Sequence, residues 1–330
     1  MISIILSAEN TVHLCPMKSI FLTLIIFTGF QLEALAQCNC SGSGFGMGIF
    51  DQGAGFLQNE QSLSAQLTYE SRYFAPDTES GHEHHHSTDT TESTGSEINN
   101  MNLANLSLVF QPHERWLILL QMPYLNAQTN LGAHSGNGDL SLVTGYGLLN
   151  HENHKLFLLA GMELPTGKVL PLSENPAAQF GSGSLDATMG LTYGLNFGQW
   201  SLQSNAVYKR TGKNKNFDNT GNISQFNLTA LYDILPSTSS CREDSVSAVR
   251  ESISWKMGLT GNFEQYGIQT QNNSRIALSG GTVLWSGITS VFNFKKFSFP
   301  LLVSIPVMQD WKGDGQKSTF RWRAGISYSF

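Results

Sequence analysis

From about residue 61 to the end of the chain, apolar and polar side chains alternate with a period of two. In the last segment Phe320, Trp322, Ala324, Ile326, Tyr328 and Phe330 fall on one face, and Arg321, Arg323, Gly325, Ser327 and Ser329 on the other. Leu185, Ala187, Met189, Leu191, Tyr193, Leu195 and Phe197 repeat the pattern against Ser184, Asp186, Thr188, Gly190, Thr192, Gly194 and Asn196. Successive side chains of a strand point to opposite sides, so each segment reads as a strand with one apolar and one polar face. Twelve such segments can be marked, at roughly 61–74, 99–110, 115–128, 137–149, 155–164, 183–197, 199–210, 222–234, 252–265, 280–294, 296–308 and 318–330. The alternation weakens in two places. Leu117 and Leu119 fall on the polar face of their segment, and the tenth segment is ambiguous around Gly280-Gly281.

Strands of this length exceed the ~5–6 residues usual in soluble sheets and reach the ~9–11 that cross a bilayer. A soluble sandwich buries its apolar faces against each other, whereas a membrane barrel turns them to lipid and keeps polar groups inside. The expected fold is therefore an all-β, transmembrane antiparallel β-barrel of about twelve strands, spanning 61–330, with an inner face of Ser, Thr, Asn, Gln, Gly and scattered charge. Connection lengths agree independently. Short turns follow strands 2, 4, 6 and 10, and longer loops, at 75–98, 129–136, 165–182, 211–221, 266–279 and 309–317, follow the others. Outer-membrane barrels keep short turns on the periplasmic side, so both termini are expected there. Residues 235–251, long where a short turn is due, break the rhythm.

Composition narrows the class. The 330 residues carry a formal charge of −6 with only 13% charged side chains, against about 25% in soluble domains. The acidic balance argues against nucleic-acid binding. Lys18, the apolar stretch Ile20–Phe30 and Ala34-Leu35-Ala36 form a secretory signal over 1–36, with Met17 as an alternative start. Cleavage after Ala36 leaves a Cys/Gly-rich periplasmic segment, 37–60, ahead of the barrel. A lipid-modified Cys38 is a competing reading that Gln37 fits poorly. Export and a barrel together imply the outer membrane of a Gram-negative bacterium, with its lipid as partner. Cys38, Cys40 and Cys241 follow the signal. In an oxidising periplasm they allow a Cys241 bridge to Cys38 or Cys40, a Cys38–Cys40 pair, or three free thiols.

Several short motifs, taken in order, add to this. They are Met122-Pro123-Tyr124, Gly138-Asp139-Leu140 with Gly145-Tyr146, Leu164-Pro165-Thr166-Gly167-Lys168, and Gly181-Ser182-Gly183-Ser184. Over about 100–330 their order resembles the transporter-like outer-membrane proteins named for the meta-pathway of phenol degradation. The resemblance implies an outer-membrane channel or uptake barrel for a small solute that the family name does not identify. Phe330 closing an alternating strand resembles the ending of outer-membrane barrels that their assembly machinery recognises. The histidine-rich insert and the Cys-x-Cys start lie outside the family pattern.

Two sets of residues carry candidate chemistry. His82, Glu83, His84, His85 and His86 lie in an acidic loop, 75–98, with six carboxylates and no Lys or Arg between Asp77 and Glu97. Imidazoles flanked by carboxylates suit Zn, Cu or Ni, and a solvated loop without a ligand is the alternative. The second set faces the lumen: Glu70, Arg72, Asp139, Glu163, Asp186, Lys209, Asp233, Lys256, Glu264, Arg321 and Arg323. Closing the barrel brings the last strand beside the first, so Arg321 and Arg323 are expected near Glu70 and Arg72. Such charges either select solutes or fill and stiffen a narrow barrel. No nucleophile–base pair stands out, so an enzyme is not expected. The function expected is passage of small solutes. The alternative is a surface barrel that captures metal or mediates adhesion through its histidine-rich loop.

Overall fold

The structure is a computed structural model that describes residues 62–75, 98–129, 132–151, 153–169, 180–216, 218–235, 253–276, 279–312 and 317–330. The expected signal segment, the three cysteines after it and the histidine-rich cluster lie outside these residues. The strands are β1 (Ser62–Phe74), β2 (Ile98–His113), β3 (Trp116–Thr129), β4 (Gly132–Asn137), β5 (Leu140–Asn150), β6 (His154–Leu164), β7 (Asp186–Phe197), β8 (Trp200–Arg210), β9 (Ile223–Leu235), β10 (Ile253–Tyr266), β11 (Thr270–Gln271), β12 (Ser274–Arg275), β13 (Gly281–Phe294), β14 (Phe297–Trp311) and β15 (Ser318–Ser329).

Thirteen strands form one sheet in the order β2-β1-β15-β14-β13-β10-β9-β8-β7-β6-β5-β3-β4, and a β2–β3 pairing closes it. Every ladder in it is antiparallel. β4 pairs with Tyr124–Thr129 of β3 and β5 with Trp116–Gln121. The two are halves of one stave broken at Gly138 and Asp139, so thirteen strands make a wall of twelve staves. β15 returns to β1, with Glu70 opposite Arg323 and Arg72 opposite Arg321.

The wall explains the alternation. Leu67, Met189 and Leu259 are 50, 61 and 68% exposed, as are many other large apolar side chains on the outer face. That much apolar surface belongs against lipid rather than water. Aromatic pairs flank the apolar band. Trp116 meets Tyr146 and Trp200 meets Tyr232 at the turn end, with ring centroids 5.1 and 5.0 Å apart. Tyr69 meets Trp322, and Tyr73 meets Phe320, toward the long-loop end.

The structure corrects the sequence reading in several places. Within the expected loop 129–136 the described residues are strand: Thr129 ends β3 and Gly132–Asn137 form β4, which puts His134 opposite Ala127. Backbone pairing with β3 sustains this piece, so it needs no apolar face. The expected loop 266–279 contains the β11–β12 hairpin, whose turn residues Asn272 and Asn273 have φ of 48° and 67°. Asn tolerates that region better than most residues, and an Asn pair suits the two-residue turn. β7 starts at Asp186 rather than 183, because Gly183 turns the chain at φ 67°. β2 and β14 run to His113 and Trp311, beyond the expected 110 and 308.

The inner face is also less polar than expected. Leu117, Gly145, Leu159, Gly190 and Val207 are successive cross-strand neighbours on it. A Cβ on Gly145 would meet Leu159 and Leu117 at 3.1 and 3.2 Å, so the small residues make room for the large ones, as in other small barrels. Leu117, Leu159 and Val207 belong to a buried cluster with Val109, Leu119, Val143 and Phe157.

Candidate functional site

The lumen-facing charges gather into two networks at the long-loop end and one pair at the turn end. The first network joins β1, β10 and β15. Arg323 pairs with Glu70, its Nε donating at 2.6 Å. Arg321 donates to Glu264 Oε1 at 2.7 Å and to Ser304 Oγ at 3.2 Å. Arg72 lies 3.6 Å from Glu70 and 3.5 Å from Glu264, and the Tyr266 hydroxyl donates to Glu264 at 2.8 Å. The Arg321 and Arg72 guanidinium groups lie 4.3 and 5.1 Å from the ring centre of Trp285, within cation–π range. Three arginines thus face two carboxylates.

The second network lies across the lumen, on β6, β7, β8 and the break before β5. Lys209 pairs with Glu163 and lies 3.0 Å from Asp186 Oδ2. Asp186 Oδ1 accepts the Gly212 N–H at 2.8 Å and the Ser184 hydroxyl at 2.7 Å. Asp139 accepts the Gly167 N–H at 2.9 Å on one oxygen, and the Ser182 N–H and hydroxyl at 2.7 and 2.8 Å on the other. Three carboxylates face one lysine. In the wall, β9 separates the networks on one side and β2 with β3 on the other, so they occupy opposite sectors. At the turn end, Lys256 lies 3.3 Å from Asp233 and donates to Ser201 at 3.3 Å.

Three of the short motifs converge at Asp139. Gly167 and Ser182, from the two ends of the 165–185 connection, both bond its carboxylate. Leu140 N–H donates to Thr166 Oγ1 at 2.9 Å. A Cβ on Gly181 would lie 2.8 Å from Gly167 Cα, so the two backbones touch. Phe180, 1% exposed, inserts beside Leu125, Met101 and Ile98. Asp139 therefore ties together the two described ends of this connection, a role its place on the polar face did not indicate.

Between the two ends, Asn205, Asn227 and Asn262 face one another across β8, β9 and β10. Asn227 donates to Thr260 at 3.2 Å. The side-chain oxygens of Asn205 and Asn262 and both polar atoms of the Gln121 amide are buried without a protein partner. Buried polar groups rarely go unsatisfied, so water or a polar solute is their natural partner. These amides were absent from the sequence candidates, because neutral polar residues fill every strand's inner face and nothing local distinguishes them.

No family profile matches the chain, and no curated protein matches it. Solved structures do. An outer membrane channel from Pseudomonas putida F1 superposes with a TM-score of 0.60 at 16% identity, covering 82% of this chain and 96% of that one. The β-domain of the Bordetella autotransporter BrkA matches more weakly, with TM-score 0.45, 10% identity and coverage of 82% and 100%. The porin NanC matches with TM-score 0.42, 9% identity and coverage of 81% and 100%. The chain therefore folds as a closed, twelve-stranded antiparallel barrel of the outer-membrane type.

Proposed function

We propose that the protein is an outer-membrane channel for small polar or weakly amphipathic solutes, set with its long loops outside and its turns and termini in the periplasm. The carrying observation is the segregation of lumen charge. A wall with three arginines and two carboxylates faces one with three carboxylates and a single lysine. Opposed charge in a narrow lumen produces a transverse field that orients dipolar solutes. Among the described residues the two networks and the turn-end pair together hold six carboxylates and five cations, Asp233 and Lys256 included, so net selectivity between small cations and anions is weak. The unpartnered amides below the networks exchange hydrogen bonds with the solute, while Leu117, Leu119 and Phe157 accept its apolar parts. The experiment is conductance of the purified full chain in planar bilayers. Stepwise openings with a reversal potential near zero under a KCl gradient support the reading. A barrel that inserts without conducting overturns it.

A further inference from the structure

The outer face of the barrel carries a basic pocket at the long-loop ends of β8, β9 and β10. The last ladder pairs there are Lys209↔Ile223 and Tyr266↔Ile223. Lys209 faces the lumen, so its neighbour Arg210 points outward, on the face that carries Tyr208. Ile223 faces inward by the same alternation, which turns Asn222 outward. The Gly267 N–H donates to Asn222 O at 2.7 Å. Beyond this level the connection after β8 is tied to the β11–β12 hairpin. Asn219 and Thr270 exchange two backbone hydrogen bonds of 2.9 Å, Asp218 Oδ1 accepts the Asn272 N–H at 2.9 Å, and Lys213 Nζ donates to Asn273 Oδ1 at 2.6 Å. Arg210, Lys213, Asn222, Gly267 and Ile268 help line the resulting pocket, whose volume is about 430 Å³.

The charge of this rim is one-sided. Among the described residues of 210–222 and 267–276, Arg210, Lys213, Lys215 and Arg275 are exposed cations and Asp218 is the one carboxylate. Asp218 is already engaged, one oxygen by the Asn272 N–H and the other by the Asn214 amide at 3.2 Å. Arg210 makes no side-chain hydrogen bond or ion pair with a described residue. Lower on the outer face, Tyr208, Phe226 and Leu228 are exposed apolar side chains, and Ile268 carries apolar surface up to the pocket itself. Cations set above an apolar wall complement an amphiphile with an anionic head and hydrocarbon tails. A guanidinium with an ammonium suits phosphate oxygens, the guanidinium bidentately. Arg210 and Asn222 point away from the lumen, so the occupant comes from the membrane.

We propose that this pocket holds a phosphate of lipopolysaccharide, the phosphorylated glycolipid of the outer leaflet, with the acyl chains lying down the wall over Tyr208 and Phe226. The site rests on the channel reading only for the placing of the long loops outside, and it does not require conduction.

The test is native mass spectrometry of the purified, delipidated full chain titrated with bisphosphorylated lipid A, with bilayer conductance measured on the same preparations. Lipid A should bind, and lipid A stripped of phosphate should not. Arg210→Ala and Lys213→Ala should each weaken binding roughly fivefold, the scale of one basic residue at an anionic membrane surface. Lys296→Ala, at the opposite end of the barrel, should leave it unchanged. Both pocket side chains are exposed, so the variants should fold, which heat-dependent gel mobility checks, and they should conduct as the parent does. Rising salt should weaken binding to the unaltered chain as well. Binding that ignores both substitutions, or that is equal with and without the lipid phosphates, overturns the site. Inorganic phosphate that displaces lipid A at equal concentration, or phosphatidylglycerol that binds as tightly, overturns the lipopolysaccharide assignment. Lipid A binding by a barrel that conducts no ions upholds the site and removes the channel reading, and a conducting barrel that binds no lipid A does the reverse.

Discussion

The charge network on β1, β10 and β15 should behave as one energetic unit, and Glu264 is where to break it. Its carboxylate takes Arg321 at 2.7 Å, the Tyr266 hydroxyl at 2.8 Å and Arg72 at 3.5 Å. The Glu264 and Arg321 side chains are each 2% exposed. Glu264→Gln keeps the shape and removes the charge, leaving three arginines to share Glu70. Breaking one partner of a buried pair costs about 3–5 kcal/mol. The stranded Arg321 guanidinium keeps the Ser304 hydroxyl and the Trp285 ring, which puts the expected cost near the lower bound, about 3 kcal/mol. Arg321→Met should cost a similar amount, because it takes from the buried Glu264 carboxylate its nearest cation and leaves only Arg72 at 3.5 Å and the Tyr266 hydroxyl. The double variant removes both halves of the ion pair, so the two penalties should fail to add by about 2 kcal/mol, within the range for groups in one network. The assay is urea unfolding of the protein reconstituted in lipid vesicles, followed by tryptophan fluorescence. Trp285, 4.3 Å beneath the Arg321 guanidinium, should also change emission in both single variants. Penalties that add within about 0.5 kcal/mol would show that Glu264 and Arg321 are independent and would refute the network.

Three further outcomes are expected. Asp139→Ala leaves the Gly167 and Ser182 donors without their acceptor, at about 1–3 kcal/mol. The 165–185 connection should then be cut faster by added protease while the barrel core stays resistant. Gly181→Ala would place a Cβ 2.7 Å from the Gly167 carbonyl carbon, a backbone clash worth about 1–3 kcal/mol. It should lower the urea midpoint, whereas Gly198→Ala in an open turn should perturb only its own backbone. Deleting Glu79–Gly95 should leave barrel folding intact and abolish any zinc or copper binding seen by titration, and binding that survives the deletion would place the metal site elsewhere.

Period-two alternation in the sequence was enough to determine the class of fold, the number of staves and the rhythm of long and short connections. The reason is geometric. A strand in lipid must show apolar side chains on every second residue, and that demand is met locally, within each strand. Closure of the last strand on the first added one long-range contact, and Glu70 does lie opposite Arg323. What local alternation cannot carry is the register between strands and the interior contacts that follow from it. Asp139, Gly167 and Ser182 lie far apart in the chain, and only the fold makes one carboxylate the anchor of the two ends of a connection. Glu264 meets Arg321 across three staves' width of wall, a distance set by barrel curvature rather than by any motif. β4 and the β11–β12 hairpin went unread because each rests on backbone pairing alone, with no buried face to imprint a pattern. The apolar lumen row from Leu117 to Val207 was hidden because its large residues alternate with glycines around the barrel rather than along the chain.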